Sequence, residues 1–142
     1  MDGRGEKARV SVGRIWIARL LVVVVFVINA MAAVQFVVWP EAYVAAYQLE
    51  GLAGPAIVRS FGICFLMWNA TYPPVIVHPD RYRVLFGVVI AQQAIGFVGE
   101  SLLLVGLGAG LEMLASSIMR FAAFDGAGLV LLVVAFALTR RR

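Results

Sequence analysis

A small set of polar side chains stands inside stretches that are otherwise apolar, and any chemistry in this chain must start from them. Arg59, Glu100, Arg120 and Asp125 are ionisable; Asn29, Asn69, Gln92 and Gln93 are amides. Glu100 and Asp125 are the pair that general acid–base catalysis would use, with Arg59 as electrostatic partner. Arginine's forked donors also suit an anionic or planar polar ligand. The charges of these four ionisable residues sum to zero, so they serve equally well as a self-satisfied network fixing helix register. Helical spacing groups them. Arg59, Gly62, Leu66 and Asn69 make one stripe, Gln93, Gly96 and Glu100 a second, and Asp125, Gly128 and Leu132 a third. Gly96 permits close helix approach. Arg120, five residues from Asp125, is placed at the rim.

Other motifs carry less. Cys64 is alone, so a dithiol exchange within the chain is excluded. His78 is also alone, which sets aside paired-histidine haem or metal ligation. Asn69-Ala-Thr71 has the form of a glycosylation sequon but lies too deep in an apolar stretch for a transferase. His78-Pro79-Asp80 reads as a surface turn, and Gly106–Gly110 as a helix end rather than a phosphate loop, because no lysine follows. No catalytic residue and no metal site is assigned, and the chain leans away from an enzyme.

The elements that hold these residues follow from composition. Of 142 residues, 63% are hydrophobic and 14% charged, against an ordinary apolar share of about 45–50%. A soluble domain of this size has too little interior for that much apolar side chain. The reading is all-α: one integral membrane four-helix bundle over residues 1–142, with spans at about 15–39, 56–77, 84–107 and 117–138. The first is too long for the apolar region of a signal peptide and is read as retained. Pro55 suits a first helical turn, and Pro73-Pro74 distorts the far end of the second span. Between the first two spans, Trp39, Tyr43 and Tyr47 recur on one face. Such residues favour headgroup depth, so this segment is expected to lie flat on the outer surface as an aromatic belt.

Orientation follows from the basic residues. Arg4, Lys7, Arg9 and Arg14 precede the first span, Arg81 and Arg83 separate the second and third, and Arg140, Arg141 and Arg142 follow the fourth. This bias puts both termini in the cytoplasm. The net charge of +4 is thereby a topology signal with weak attraction to anionic lipid, and no nucleic-acid footprint. At about 1.5 Å per residue, Asn29, Asn69, Gln92 and Gln93 fall near the midplane. Arg59, Glu100, Arg120 and Asp125 fall in the outer half. The expectation is that Arg59 pairs with Glu100, Asp125 or both at an outer mouth, over an amide layer.

This order of features resembles the DoxX-like superfamily of small four-helix membrane proteins, in particular domain of unknown function 4345. The likeness rests on Trp39-Pro40-Glu41 after the first helix, Arg59-Ser60-Phe61-Gly62 at the start of the second, and Gly96 to Glu100 in the third. It implies a compact bundle and a multi-pass location in a plasma membrane, as in the bacterial inner membrane, but no established reaction. Some relatives of that group are linked to quinone or thiol redox systems, the latter at odds with the solitary Cys64. Three functions stay open. The leading one is a non-enzymatic accessory protein or complex subunit, holding a lipid or quinone-like molecule at the outer mouth. The others are a small transporter or channel component, disfavoured because the charged residues of this set stop in the outer layer, and a membrane enzyme using Glu100 and Asp125. Expected partners are the bilayer and a membrane protein or a second copy of the chain.

Overall fold

The structure, a computed structural model, describes residues 11–140; the orientation residues Arg4, Lys7, Arg9, Arg141 and Arg142 lie outside the described residues. Every described element is helical: α1 (Val12–Val38), α2 (Glu41–Val44), a 3-10 turn (Ala45–Tyr47), α3 (Ala53–Asn69), α4 (Tyr72–Val77), α5 (Arg83–Gly106) and α6 (Glu112–Leu138). Val12–Val38, Ala53–Val77, Arg83–Gly106 and Glu112–Leu138 are each long and apolar enough to cross a membrane. In hydrocarbon every backbone polar group must pair internally, so even the valine-rich stretch of α1 is held helical. Large apolar side chains remain on the outside, among them Trp16, Leu20, Met67, Ile95, Leu102 and Val130. This is the surface that a bilayer covers, and the chain is a multi-pass membrane protein whose described elements are all helical.

The prolines break the second span where hydrogen bonding requires it. Pro73 and Pro74 have no N–H to offer the carbonyls of Asn69 and Ala70, and their rings crowd the preceding turn. The helix therefore stops at Asn69 and restarts as α4, with proline in its first turn, where no donor is needed. The fourth span begins at Glu112, ahead of the expected start near 117. Two contacts explain the extra turn. Gln48 Oε1 accepts a hydrogen bond from Leu114 N at 3.0 Å, pairing one of the free first-turn amides. Glu112 accepts from Gly110 N at 3.1 Å and places an acid at the helix N-terminus, where the macrodipole favours it.

The main helix pairings are α5 with α6, α1 with α3 and α1 with α6. At the α1–α3 crossing, a Cβ on Gly62 would fall 2.8 Å from the Ala33 carbonyl oxygen and 2.9 Å from Phe36 Cβ. Only glycine lets the two backbones approach this closely. One half of the bundle is filled: Ala18, Val22, Val25, Tyr72, Val75, Phe86, Val89, Leu132 and Ala135 form its buried core. At that end, which also holds the first residues of α1 and the last of α6, Arg83 Nη1 donates to Thr139 Oγ1 at 2.7 Å. Its guanidinium lies 4.1 Å from the centre of the Phe136 ring. This is the terminal end.

At the opposite end, α2 and the 3-10 turn form a lid. Gln48 takes a left-handed backbone conformation, φ 49° and ψ 36°, which is unfavourable for a side-chain-bearing residue. Its side chain is held at both ends: Nε2 donates to the Gly110 carbonyl at 2.9 Å, while Oε1 serves Leu114. Ser117 Oγ donates to the Ala46 carbonyl at 2.9 Å. The lid departs from the expected flat belt. Trp39 is 59% exposed, but Tyr43 and Tyr47 turn inward onto the buried Phe36 ring, with centroids 4.7 and 5.8 Å away. The Tyr43 hydroxyl donates to Gln35 Oε1 at 2.7 Å, an inward partner that draws the ring off the surface.

Candidate functional site

Under the lid, α1, α3, α5 and α6 separate around a cavity of about 310 Å³, at the small end of the range of ligand pockets. Its walls are aromatic: Tyr43, Tyr47, Phe65, Trp68, Phe121 and Phe124. The polar side chains that line it are Asn29, Asn69, Gln93, Glu100, Ser117, Arg120 and Asp125. Six of the eight residues singled out in the sequence thus share one cavity; Arg59 and Gln92 do not.

Gln93, only 2% exposed, is the hub of the floor. Its Nε2 donates to Asp125 Oδ1 at 2.8 Å and more weakly to the Asp125 carbonyl at 3.4 Å. Its Oε1 accepts from the Tyr72 hydroxyl at 3.1 Å and from Asn29 Nδ2 at 3.4 Å. Asn29 Nδ2 also reaches the Tyr72 hydroxyl at 3.4 Å. One amide therefore ties together α1, α4, α5 and α6. A Cβ at Gly96, one turn further along α5, would collide with the Asp125 carboxylate, so glycine there makes room for the acid.

Several expectations change. Arg59 does not meet Glu100 or Asp125 in the cavity. It is exposed on α3, and its Nε donates to the Val37 carbonyl at 3.1 Å. The buried stripe of α3 runs through Gly54, Val58, Gly62 and Asn69, and Arg59 is one residue, about 100° of helix, to the side. Asp125 stands at the middle of Glu112–Leu138 and belongs with Gln93 rather than with an outer charged layer. Gln92 faces away from the cavity side of α5 and accepts from Thr71 Oγ1 at 3.0 Å, beside the α3–α4 break. Arg120 is the cation that lines the cavity; exposed at its rim, it donates from Nη2 to Ser117 Oγ at 3.2 Å. Asn69 spends its Nδ2 on the Phe65 carbonyl of its own helix at 2.7 Å.

The sequence reading passed over Tyr72, Gln48 and Arg19. Tyr72 had a signal, since a tyrosine hydroxyl at membrane depth needs a partner. Arg19, within α1, donates from Nη2 to the Val77 carbonyl and stacks 5.0 Å from the Trp16 ring centre. It caps the open end of α4 at the terminal end, away from the cavity. In the lid, burial first and the nearby Glu100 carboxyl second push the Tyr47 phenol above its ordinary pKa, so it stays neutral. Among the described residues no group of three His, Cys, Asp or Glu gathers to hold a metal, and Cys64 is exposed outside the cavity. The site is a mostly apolar, aromatic-walled chamber with one paired acid (Asp125), one acid taking no hydrogen bond from a described residue (Glu100) and one rim arginine. Comparison with protein-family models, curated proteins and solved structures finds no match.

Proposed function

We propose that this chain is a non-enzymatic membrane protein that holds the polar end of an amphipathic molecule, such as a lipid headgroup or a quinone-like ring, in the chamber under the lid. The observation that carries this is the chamber itself. In a small bundle whose terminal half is tightly packed, the lid half keeps a roofed cavity with aromatic walls and a few convergent polar groups, the usual anatomy of a small-molecule site. A network serving only helix register would have closed around its polar groups. The packed core beyond Gln93 weighs against a path through the whole bundle.

The orientation belongs to the same proposal: Arg14, Arg81, Arg83 and Arg140 at the terminal end support a cytoplasmic terminal end with the lid outside. The setting is a plasma membrane, as in a bacterium, and the likeness to DoxX-like proteins rests on the motifs around Trp39, Arg59 and Gly96. Native mass spectrometry of the protein extracted gently from its own membrane tests the reading. The expected result is a retained small molecule that disappears when Ala32→Phe, at a small residue of the chamber wall, fills the chamber. A chain that carries no small molecule and arrives only with protein partners would replace this reading with that of a structural subunit.

A further inference from the structure

The binding reading leaves the chemistry of the occupant open, and the unused polar atoms of the wall narrow it. Among the described residues, three fully buried side-chain nitrogen or oxygen atoms have no hydrogen-bond partner: Arg19 Nε, Asn69 Oδ1 and Glu100 Oε2. The first is at the terminal end. The other two belong to residues that line the chamber, and both atoms are acceptors. No fully buried donor of the chamber wall is left over. Gln93 Nε2 is taken by Asp125, Asn69 Nδ2 by the Phe65 carbonyl and the Tyr43 hydroxyl by Gln35. Asn69 is itself only 6% exposed. The terminal torsion of Glu is soft, and a small turn of the Glu100 carboxylate presents its free oxygen to an occupant.

Charge points the same way. The ionisable groups of the span helices that line the chamber are Glu100, Asp125 and Arg120, two acids against one base, and Arg59 turns away to Val37. Trp68, Tyr47 and Phe121 are among the lining residues, and aromatic faces attract cations, tryptophan most strongly. An oxidised quinone ring brings only acceptors and leaves both buried oxygens unpaired. A fatty-acid carboxylate adds a like charge beside Glu100. A primary ammonium brings three donors and a positive charge.

Resting on the binding reading, we infer that the chamber is built for the primary ammonium end of an amphipathic amine, with N–H groups donating to Glu100 and Asn69 and aromatic walls covering the charge. Two sources present this chemistry, an aminolipid headgroup and a free amphipathic amine. Arg120 at the rim is placed to meet the phosphate of the former.

The test uses the full chain in nanodiscs of phosphatidylcholine and phosphatidylglycerol. Binding of radiolabelled octylammonium is measured, with empty nanodiscs subtracted, and challenged by octyltrimethylammonium, octanoate and menadione. The expected result is saturable binding at one per chain, at least tenfold weaker competition by the quaternary analogue, which has no N–H, and none by octanoate or menadione. Glu100→Gln should weaken octylammonium at least tenfold at an unchanged melting temperature. The ranking of competitors on the unaltered protein decides for or against the ammonium even if the variant does not fold. Adding phosphatidylethanolamine should weaken octylammonium binding if the lipid headgroup is the occupant, with Arg120→Ala relieving that competition, and should change nothing if a free amine is. Saturable binding of menadione or octanoate in preference to octylammonium would overturn the ammonium inference and keep the binding reading. Binding of none of the four probes, together with a bare chain in native mass spectrometry, would overturn both.

Discussion

The hub role of Gln93 makes a quantitative prediction. Gln93→Leu keeps the volume and apolar fit of a residue only 2% exposed but removes every hydrogen bond that the amide makes. The bond from Nε2 to Asp125 Oδ1, at 2.8 Å, is worth about 1.5–3 kcal/mol as a bond to a carboxylate. The Tyr72 and Asn29 bonds, at 3.1 and 3.4 Å, are of the kind that average about 0.6 kcal/mol each within membranes. Together these put the loss at about 3–4 kcal/mol. The neighbouring Gln92→Leu is the control. Gln92 accepts one bond, from Thr71, whose hydroxyl retains the Trp68 carbonyl as an alternative at 2.9 Å, so its loss should be about 0.6 kcal/mol or less. Equilibrium unfolding in bicelles titrated with sodium dodecyl sulfate, followed by tryptophan fluorescence, measures both. Similar losses for the two variants, or a Gln93→Leu loss below about 1 kcal/mol, would refute the hub and with it the assignment of Asp125 to the floor.

Three further outcomes are expected. Gly62→Val should cost about 2–3 kcal/mol by prising α1 from α3, whereas Gly99→Ala, where an added Cβ meets nothing within 4 Å, should stay within about 0.5 kcal/mol; the same unfolding assay compares them. Glu100→Gln and Arg59→Ala should each change stability by less than about 1 kcal/mol, because Arg59 rests on the Val37 carbonyl rather than on the acid; a loss of about 3–5 kcal/mol for Glu100→Gln would restore the buried ion pair instead. Gln48→Ala removes two hydrogen bonds while leaving the left-handed backbone in place, and should cost about 2 kcal/mol. Faster proteolysis between Pro40 and Gly54 checks it, and unchanged cleavage would show that the lid is held by other contacts.

Much of the fold was legible because its signals are local. Four apolar runs of membrane length announce four helices, and Pro73-Pro74 announces the break between α3 and α4. The place of Gln93 near the middle of α5 was also readable from spacing. What failed depended on distant partners. The start of α6 is set by Gln48, whose side chain reaches Leu114 across 66 positions of sequence, and nothing near residue 112 reveals it. Arg59 was assigned inward because a charge in an apolar run is costly. Near a helix end, however, a long side chain can reach outward to a neighbour's free carbonyl, and Val37 supplies one. Residue type and recurrence on one face point Tyr43 and Tyr47 to a surface belt, yet Phe36 and Gln35 supply inward partners that no spacing rule weighs.

The bridge made by Gln48 has a kinetic consequence. The Leu114 amide sits in the first turn of α6, where N–H groups have no partner within the helix, and its protection depends on the side-chain oxygen of a lid residue. Each time the lid lifts, that amide meets solvent, while amides deeper in α6 stay within their own turns. Hydrogen–deuterium exchange at Leu114, read against those deeper amides, therefore measures how often the chamber opens. A molecule that settles beneath the lid should slow this single exchange rate before it alters any other.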